Sequence, residues 1–293
     1  MAAGWKTLEP IVASNVIPMP LTLRMLRLLP PKLRLSIVSR FRNRLVKRSE
    51  GWGSDVFERA PLALAPGAFM ELSGTCSIHQ DIAFAGCFEF DLSERIVELA
   101  RKAGPGGTLV DVGANYGYFS LLWAAQQPGN RAIAFEASPP NHAPLRRNVE
   151  LNGYGQRVQV HSVAAGRAAG QLPFDMGGWG QTGWGGLCSS GAGFAETTVP
   201  VERLDRVLPP DFEADVLKID VEGADAWVLE GASEILKNKR IKTIFFEENA
   251  LRMELLGIPL GTSKSLLEGF GYRCVSIDRT KSAECAGEFM AWV

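Results

Sequence analysis

The chain has 293 residues, 46% of them hydrophobic, and a formal net charge of −1. That length buries one large core or two small ones, and the near-zero charge gives no global case for a nucleic-acid partner. No run approaches about 18 uninterrupted apolar residues, so no membrane-spanning segment is expected.

Five cysteines (Cys76, Cys87, Cys188, Cys274 and Cys285) form no C-x-x-C pair and are odd in number. That argues against both a zinc site and a disulfide framework. With no signal peptide recognisable, the expected location is a reducing cytoplasm.

Three regions separate by composition. Residues 1–50 read as a basic helical extension, with ten Lys/Arg against Glu9 and Glu50. After Pro31 the apolar positions Leu33, Ile37, Phe41 and Leu45 recur every four residues, with Lys32, Arg34, Arg40, Arg42, Arg44, Lys47 and Arg48 around them. This spacing predicts an amphipathic helix. One reading docks the apolar stripe on the main domain and leaves the arginines solvated. The other lays residues 32–48 on an anionic membrane or an acidic partner.

Residues 51–107 read as an α+β cap segment. Ala68-Phe-Met-Glu-Leu and Ser77-Ile-His-Gln-Asp-Ile-Ala-Phe look like strands, with His79 and Asp81 on a polar hairpin face. A helix is expected from Ser93, as its N-cap, to Lys102, stopped by Gly104-Pro105-Gly106-Gly107.

From 108 to 293 strands and helices alternate as a parallel sheet demands. Strands are expected near 108–113, 131–136, 157–163, 215–220, 242–247, 272–278 and 287–293. Helices are expected near 116–127, 139–152, 224–237 and 261–269. The last two strands have no helix-length segment between them, which predicts an antiparallel hairpin at the sheet edge.

The first strand runs into Asp111-Val-Gly-Ala-Asn-Tyr-Gly117 and then a helix. Strand, glycine turn and helix bring backbone close to a ligand and aim N–H groups at its negative end. The spacing is G-x-x-x-G, without the middle glycine of a dinucleotide fingerprint. A donor of the S-adenosylmethionine type has no pyrophosphate and does not need that glycine. Asp111, Gly113, Asn115, Tyr116 and Gly117 are therefore the first donor-site candidates, Asp111 for the donor's ammonium.

The second strand, Arg131-Ala-Ile-Ala-Phe-Glu136, ends in a carboxylate 23 positions after Gly113. At the tip of the second strand such an acid meets the hydroxyls of a ribose. The third strand ends at Ser162 and Val163, which are placed against an adenine.

The segment 175–191, with Trp179 and Trp184, is too rich in glycine to pack as regular structure and reads as a lid. Further on, Val216-Leu-Lys-Ile-Asp-Val-Glu-Gly223 carries Lys218, Asp220 and Glu222 at alternate positions of a central strand. Charges there are paired or working, and open α/β sheets bind ligands at that edge. Glu247-Glu248 ends the next strand.

These stretches together (DVGANYGYFSL, AFEASPPNHAPLRRNVELN, VPVERLD, VLKIDVEGADAWVLEGA and IFFEEN) resemble the FkbM family of S-adenosylmethionine-dependent methyltransferases over most of residues 86–250. The resemblance implies a Rossmann-like α/β methyltransferase fold for residues 108–293, a doubly wound and mostly parallel sheet with an antiparallel C-terminal edge hairpin. It also implies O-methylation of a sugar, polyketide or other small metabolite. Glu136 matches the family's ribose-binding acid. The sequence departs at Ala137-Ser138, where a proline commonly follows that acid, and at Asp225, where glutamate is usual.

In-line methyl transfer to a hydroxyl needs positioning and a base. Asp220 is the first candidate for base or hydroxyl-positioner, and it also belongs with the donor-binding residues. Glu222 and Glu247 stand behind it, and Lys218 tunes their charge. The same acids leave open a Mg²⁺ site. The rival reading is a catalytically inactive methyltransferase-fold protein that binds partners or membranes through its basic helix; intact Asp111, Glu136 and Asp220 argue against it.

Overall fold

The computed structural model describes residues 21–49, 55–178, 180–188, 196–277 and 287–293. Two helices lead, α1 (Leu21–Arg27) and α2 (Pro31–Ser49), followed by the short α3 (Asp55–Glu58). A two-stranded ladder, β1 (Ala60–Pro61) with β2 (Phe69–Met70), precedes α4 (Ser77–Ala85) and α5 (Phe90–Ala103). Then come β3 (Thr108–Val112), α6 (Tyr118–Ala124), β4 (Arg131–Phe135), α7 (Pro139–Leu151) and β5 (Val158–His161). Four strands follow: β6 (Ala164–Ala165), β7 (Gly170–Asp175), β8 (Gly186–Leu187) and β9 (Glu196–Glu202). The next elements are α8 (Leu204–Val207), β10 (Ala214–Ile219), α9 (Asp225–Gly231), α10 (Ser233–Lys237) and β11 (Ile241–Glu248). The chain closes with α11 (Ala250–Leu255), α12 (Thr262–Gly269), β12 (Arg273–Ser276) and β13 (Gly287–Trp292).

The main sheet has the order β12-β13-β11-β10-β3-β4-β5. From β11 to β5 all pairs are parallel, and β13 and β12 close the edge antiparallel, as the missing crossover helix requires. Strands β3 and β10 sit at the centre, buried on both faces, which is why both read as apolar runs. One core cluster lies on the α4–α5–α6 side and takes in Leu23 and Val38 of α1 and α2; a second lies under α9, α10 and α12.

Several expectations are corrected. Ser77–Ala85 is a helix, not a strand: His79, Gln80 and Asp81 are buried along with Ile82 and Phe84, so no polar face marks its period. Helix α5 starts at Phe90, not at Ser93. The Ser93 hydroxyl instead donates to the Phe88 carbonyl (2.6 Å) one turn back.

The expected helix over 224–237 breaks into α9 and α10. Gly231 lies so close to the Gly166 carbonyl that a Cβ there would stand 2.1 Å from its oxygen. Asp205 then caps α10, accepting from the Glu234 and Ile235 N–H groups at 3.1 Å each. The aspartate of the Val-Glu-Arg-Leu-Asp run is thus a structural cap.

A second sheet, β6-β9-β7-β8, was not expected. In it the glycine-rich segment does form a strand, β8, on Phe174 and Asp175 of β7.

The α2 helix docks by a different face from the one its apolar spacing indicates. Leu33 and Phe41 are exposed, while Arg34 and Val38 are buried. Arg34 donates to the carbonyls of Ala85 (2.9 Å) at the C-terminal end of α4, and Arg27 to that of Ala83 (3.2 Å). Cations at a helix C-terminus oppose its partial negative charge. Arg42 grips Asp81 of α4 with two hydrogen bonds, 2.9 and 2.7 Å. These three arginines are therefore bound to α4 rather than left wholly to solvent. Among the described residues no helix is long and apolar enough to cross a membrane.

Candidate active site

The C-terminal ends of β3, β4 and β10 open into one cleft.

The turn after β3 forms its floor. Gly113 has φ +81°, and a Cβ there would lie 1.9 Å from the Asp220 carbonyl oxygen, so only glycine fits between β3 and β10. Asn115 is also left-handed, at φ 52°. The turn is tied to β4: the Gly113 and Ala114 N–H groups donate to the Phe135 carbonyl at 3.0 Å each. The Asn115 N–H donates to Glu136 Oε2 at 2.7 Å.

Glu136 also accepts from the Ser138 N–H (2.8 Å) and Asn141 Nδ2 (3.3 Å), both on Oε1. Burial pushes its carboxyl up to about 7, against those hydrogen bonds. Held by the backbone on both sides, Glu136 still lines the cleft, with Asn115, Tyr116 and Val163.

Three expected donor residues are placed elsewhere. Asp111 is fully buried behind the cleft wall, where its Oδ2 accepts from the Ser120 hydroxyl at 2.7 Å and its Oδ1 has no partner. Gly117 starts α6 and faces Leu145. Ser162 accepts from Arg146 at 3.1 Å, while Val163 takes the cleft wall. These neighbours came from α6 and α7, and nothing local in the sequence marks them.

Residues 180–188 cross the cleft as a strap. Asn141 Nδ2 donates to the Thr182 carbonyl at 3.1 Å, and Arg252 bonds the Trp184 carbonyl and, at 3.2 Å, Asp175. Trp184 lines the cleft and is still half exposed; Trp179 lies outside the described residues.

His79 of α4 knits strap to floor. Its Nδ1 accepts from the Ser73 N–H (3.1 Å), which leaves Nε2 to donate toward Asn115 Oδ1 (3.3 Å) and Thr182 Oγ1 (3.2 Å). Burial lowers its pKa to about 4, so the ring stays neutral. A residue expected on a hairpin face thus sits in the wall of the cleft.

At the other end the strand tips converge. Lys218, Asp220, Glu222 and Glu247 all line the cleft. Buried Lys218 places Nζ 3.0 Å from Asp220 Oδ2 and 4.8 Å from the centre of the Phe119 ring. Burial alone would lower the ammonium's pKa, but Asp220, Asp111 and Glu89 outweigh it and hold the charge.

Glu222 is left-handed at φ 55° and lies 3.9 Å from Arg252 Nε. Burial, then the Asp220 and Glu247 charges, raise it to about 7. Glu248 points the other way along the strand and caps α12, accepting from the N–H groups of Gly261 (2.9 Å) and Ser263 (3.0 Å).

The sequence reading missed Glu89. It enters the same wall from the turn before α5, at φ 41°. Burial and the Asp220, Glu288 and Glu247 charges push its carboxyl well above the usual range, with Lys218 opposing. The available signal was an acid set between Phe88 and Phe90.

The residues fit an adenosyl donor: a Cβ-free floor at Gly113 and a backbone-held carboxylate at Glu136 with one free lone-pair direction. Among the described residues no group of three or more His, Cys, Asp or Glu side chains is arranged to hold a metal ion.

Residues 111–274 match the family profile described as the methyltransferase FkbM domain. The chain is similar to "Methyltransferase sdnD" of Sordaria araneosa, 27% identical over 205 residues, covering 56% of this chain and 73% of that protein. It is also similar to "Methyltransferase 1" of Beauveria bassiana (strain ARSEF 2860), 28% identical over 188 residues, covering 56% and 75%. Among solved structures, methyltransferase FkbM from Methylobacillus flagellatus KT superposes with a TM-score of 0.43 at 14% identity, covering 86% of this chain and 59% of that one.

Proposed function

The chain belongs to the FkbM family of methyltransferases, and on that premise we propose that it methylates a hydroxyl oxygen of a small acceptor, a sugar, polyketide or other small metabolite, using S-adenosylmethionine. The observation that carries this reading is one cleft with the backbone-held carboxylate of Glu136 at one end and the acids around Lys218 at the other. When bound, S-adenosylmethionine supplies a sulfonium methyl that is already a good electrophile.

The chain's own part is to hold and to deprotonate. Glu136, Asn115, Tyr116 and Val163 hold the adenosyl end, and the strap of residues 180–188 lies across it. Holding the reactants in line supplies most of the gain. The acceptor oxygen gains the methyl, its proton passes to a carboxylate, and a neutral thioether is left.

Asp220 was the first candidate for that base, but its Oδ2 is taken up by the Lys218 ammonium at 3.0 Å. We assign Asp220 to positioning the acceptor hydroxyl. Glu222, raised to about 7, has the basicity the step needs. Glu89 and Glu247 complete the acceptor wall.

Calorimetry with S-adenosylmethionine and NAD, followed by turnover of a metabolite extract with methyl-labelled donor, tests the reading. The donor should bind and NAD should not. Glu222→Gln should lower turnover by roughly 10²–10⁴-fold with donor affinity unchanged. Absence of donor binding refutes the proposal, and full activity in Glu222→Gln moves the base elsewhere.

A further inference from the structure

The outward face of α1 and α2 takes no part in the cleft. Residues 21–49 contain nine Lys/Arg and no Asp or Glu. Four of these cations are committed inward or sideways: Arg27 and Arg34 to carbonyls of α4, Arg42 to Asp81, and Lys32 to Asp91 at 2.6 Å. Arg24, Arg40, Arg44 and Lys47 are exposed and have no ion pair among the described residues.

Interleaved with them are Met25, Leu28, Leu33 and Phe41, with 59, 80, 50 and 44% of their surface exposed. These are four of the eleven exposed large hydrophobics among the described residues, gathered in 29 positions. Exposed apolar tips set among solvated cations are not explained by folding, because the docking of α2 is carried by Arg34, Val38 and Arg42 on the other face.

We propose that this face docks the protein on an anionic lipid surface. An amphipathic helix lying in the interface plane needs apolar tips that enter the headgroup boundary and cations that meet anionic lipid. The pattern favours a fluid surface over an acidic protein, since the cations are spread along two helices and none is held in a bidentate-ready position by a neighbour. Helix α4 lies between α2 and the cleft: Asp81 takes Arg42 on one side, and Ile78, His79 and Ile82 line the cleft on the other. Docking therefore carries the methyl-transfer cleft to the membrane.

The test is co-sedimentation of the full chain with phosphatidylcholine vesicles, with and without phosphatidylserine. Binding is expected only to the anionic vesicles and should be released as salt shortens the Debye length from about 30 Å at 0.01 M to about 8 Å at 0.15 M. Each cation near the surface contributes about fivefold (about 1 kcal/mol). Arg40→Gln, Arg44→Gln and Lys47→Gln together should weaken partitioning about a hundred-fold, with unchanged thermal melting because none of the three anchors the helix. Leu28→Ser with Leu33→Ser should weaken binding further at physiological salt.

The proposal is overturned by no binding at low salt, by equal binding to neutral and anionic vesicles, or by unchanged binding of the triple variant. It is equally overturned if removing residues 1–20 abolishes binding while the triple variant still binds.

Discussion

Lowering the pH from about 8 to about 5.5 should weaken the binding of S-adenosylmethionine, because the carboxyl facing the ribose end of the cleft takes up a proton in that range. Burial lifts Glu136 to about 7. Its protein hydrogen bonds fill both sites of Oε1 and one of Oε2. A carboxylate offers about four lone-pair directions, so one remains for a donor hydroxyl. A hydrogen bond to a charged acceptor contributes roughly 1.5–3 kcal/mol, which lowers the pKa in the complex by about one to two units.

The donor therefore prefers the ionised form, and binding below about pH 7 releases a proton. The affinity lost is about ten- to a hundred-fold, spread from about pH 7 down to about 5–6. The sign for the free protein's stability is the reverse. With the folded value raised from 4.5 to about 7, this group's contribution is fully present below 4.5 and is lost as pH rises through about 7.

Calorimetry across this range, in buffers of different ionisation enthalpy, reads both the affinity and the proton released. Glu222 is also raised to about 7, so the control is a pair: Glu222→Gln should keep the dependence and Glu136→Ala should lose it. His79, lowered to about 4, does not titrate in the window. Affinity that is flat with pH, or heats that do not depend on the buffer, would refute the placement of the ribose at Glu136.

Two further outcomes test the scaffold. Lys218→Met should cost roughly 3–5 kcal/mol of unfolding free energy in urea, because it leaves fully buried Asp111 beside Asp220 with no counter-charge; a loss under about 1 kcal/mol would show that the ammonium is not what holds those acids. Asp81→Asn should loosen α2 by about 1–3 kcal/mol, seen as faster limited proteolysis after Lys47 and Arg48, and unchanged cleavage would mean that the Arg42 pair does not anchor the helix.

The central strands and the charged residues at their C-terminal ends were legible in the sequence, for a local reason. Strands β3 and β10 are buried on both faces, so they appear as apolar runs, and a charge inside such a run stands out. The alternation of period two then puts Lys218 and Asp220 on one face at the edge where an open sheet binds its ligands. The glycine turn and Glu136 were readable for the same reason, since each marks the end of a strand.

Other features were decided by partners far along the chain. Helix α4 looked like a strand because its polar side chains are satisfied at a distance: His79 by Asn115 and Thr182, Asp81 by Arg42. Glu89 reaches the site only because the turn before α5 packs against β10. The docked face of α2 could not be read from hydrophobic spacing. There, hydrogen bonds from arginines to helix-end carbonyls and to Asp81, with Val38 between them, hold the helix in place of the Leu33–Phe41 stripe. Periodicity records which residues are apolar, but the face that docks was set by partners some 40–50 positions away: Asp81 and the end of α4.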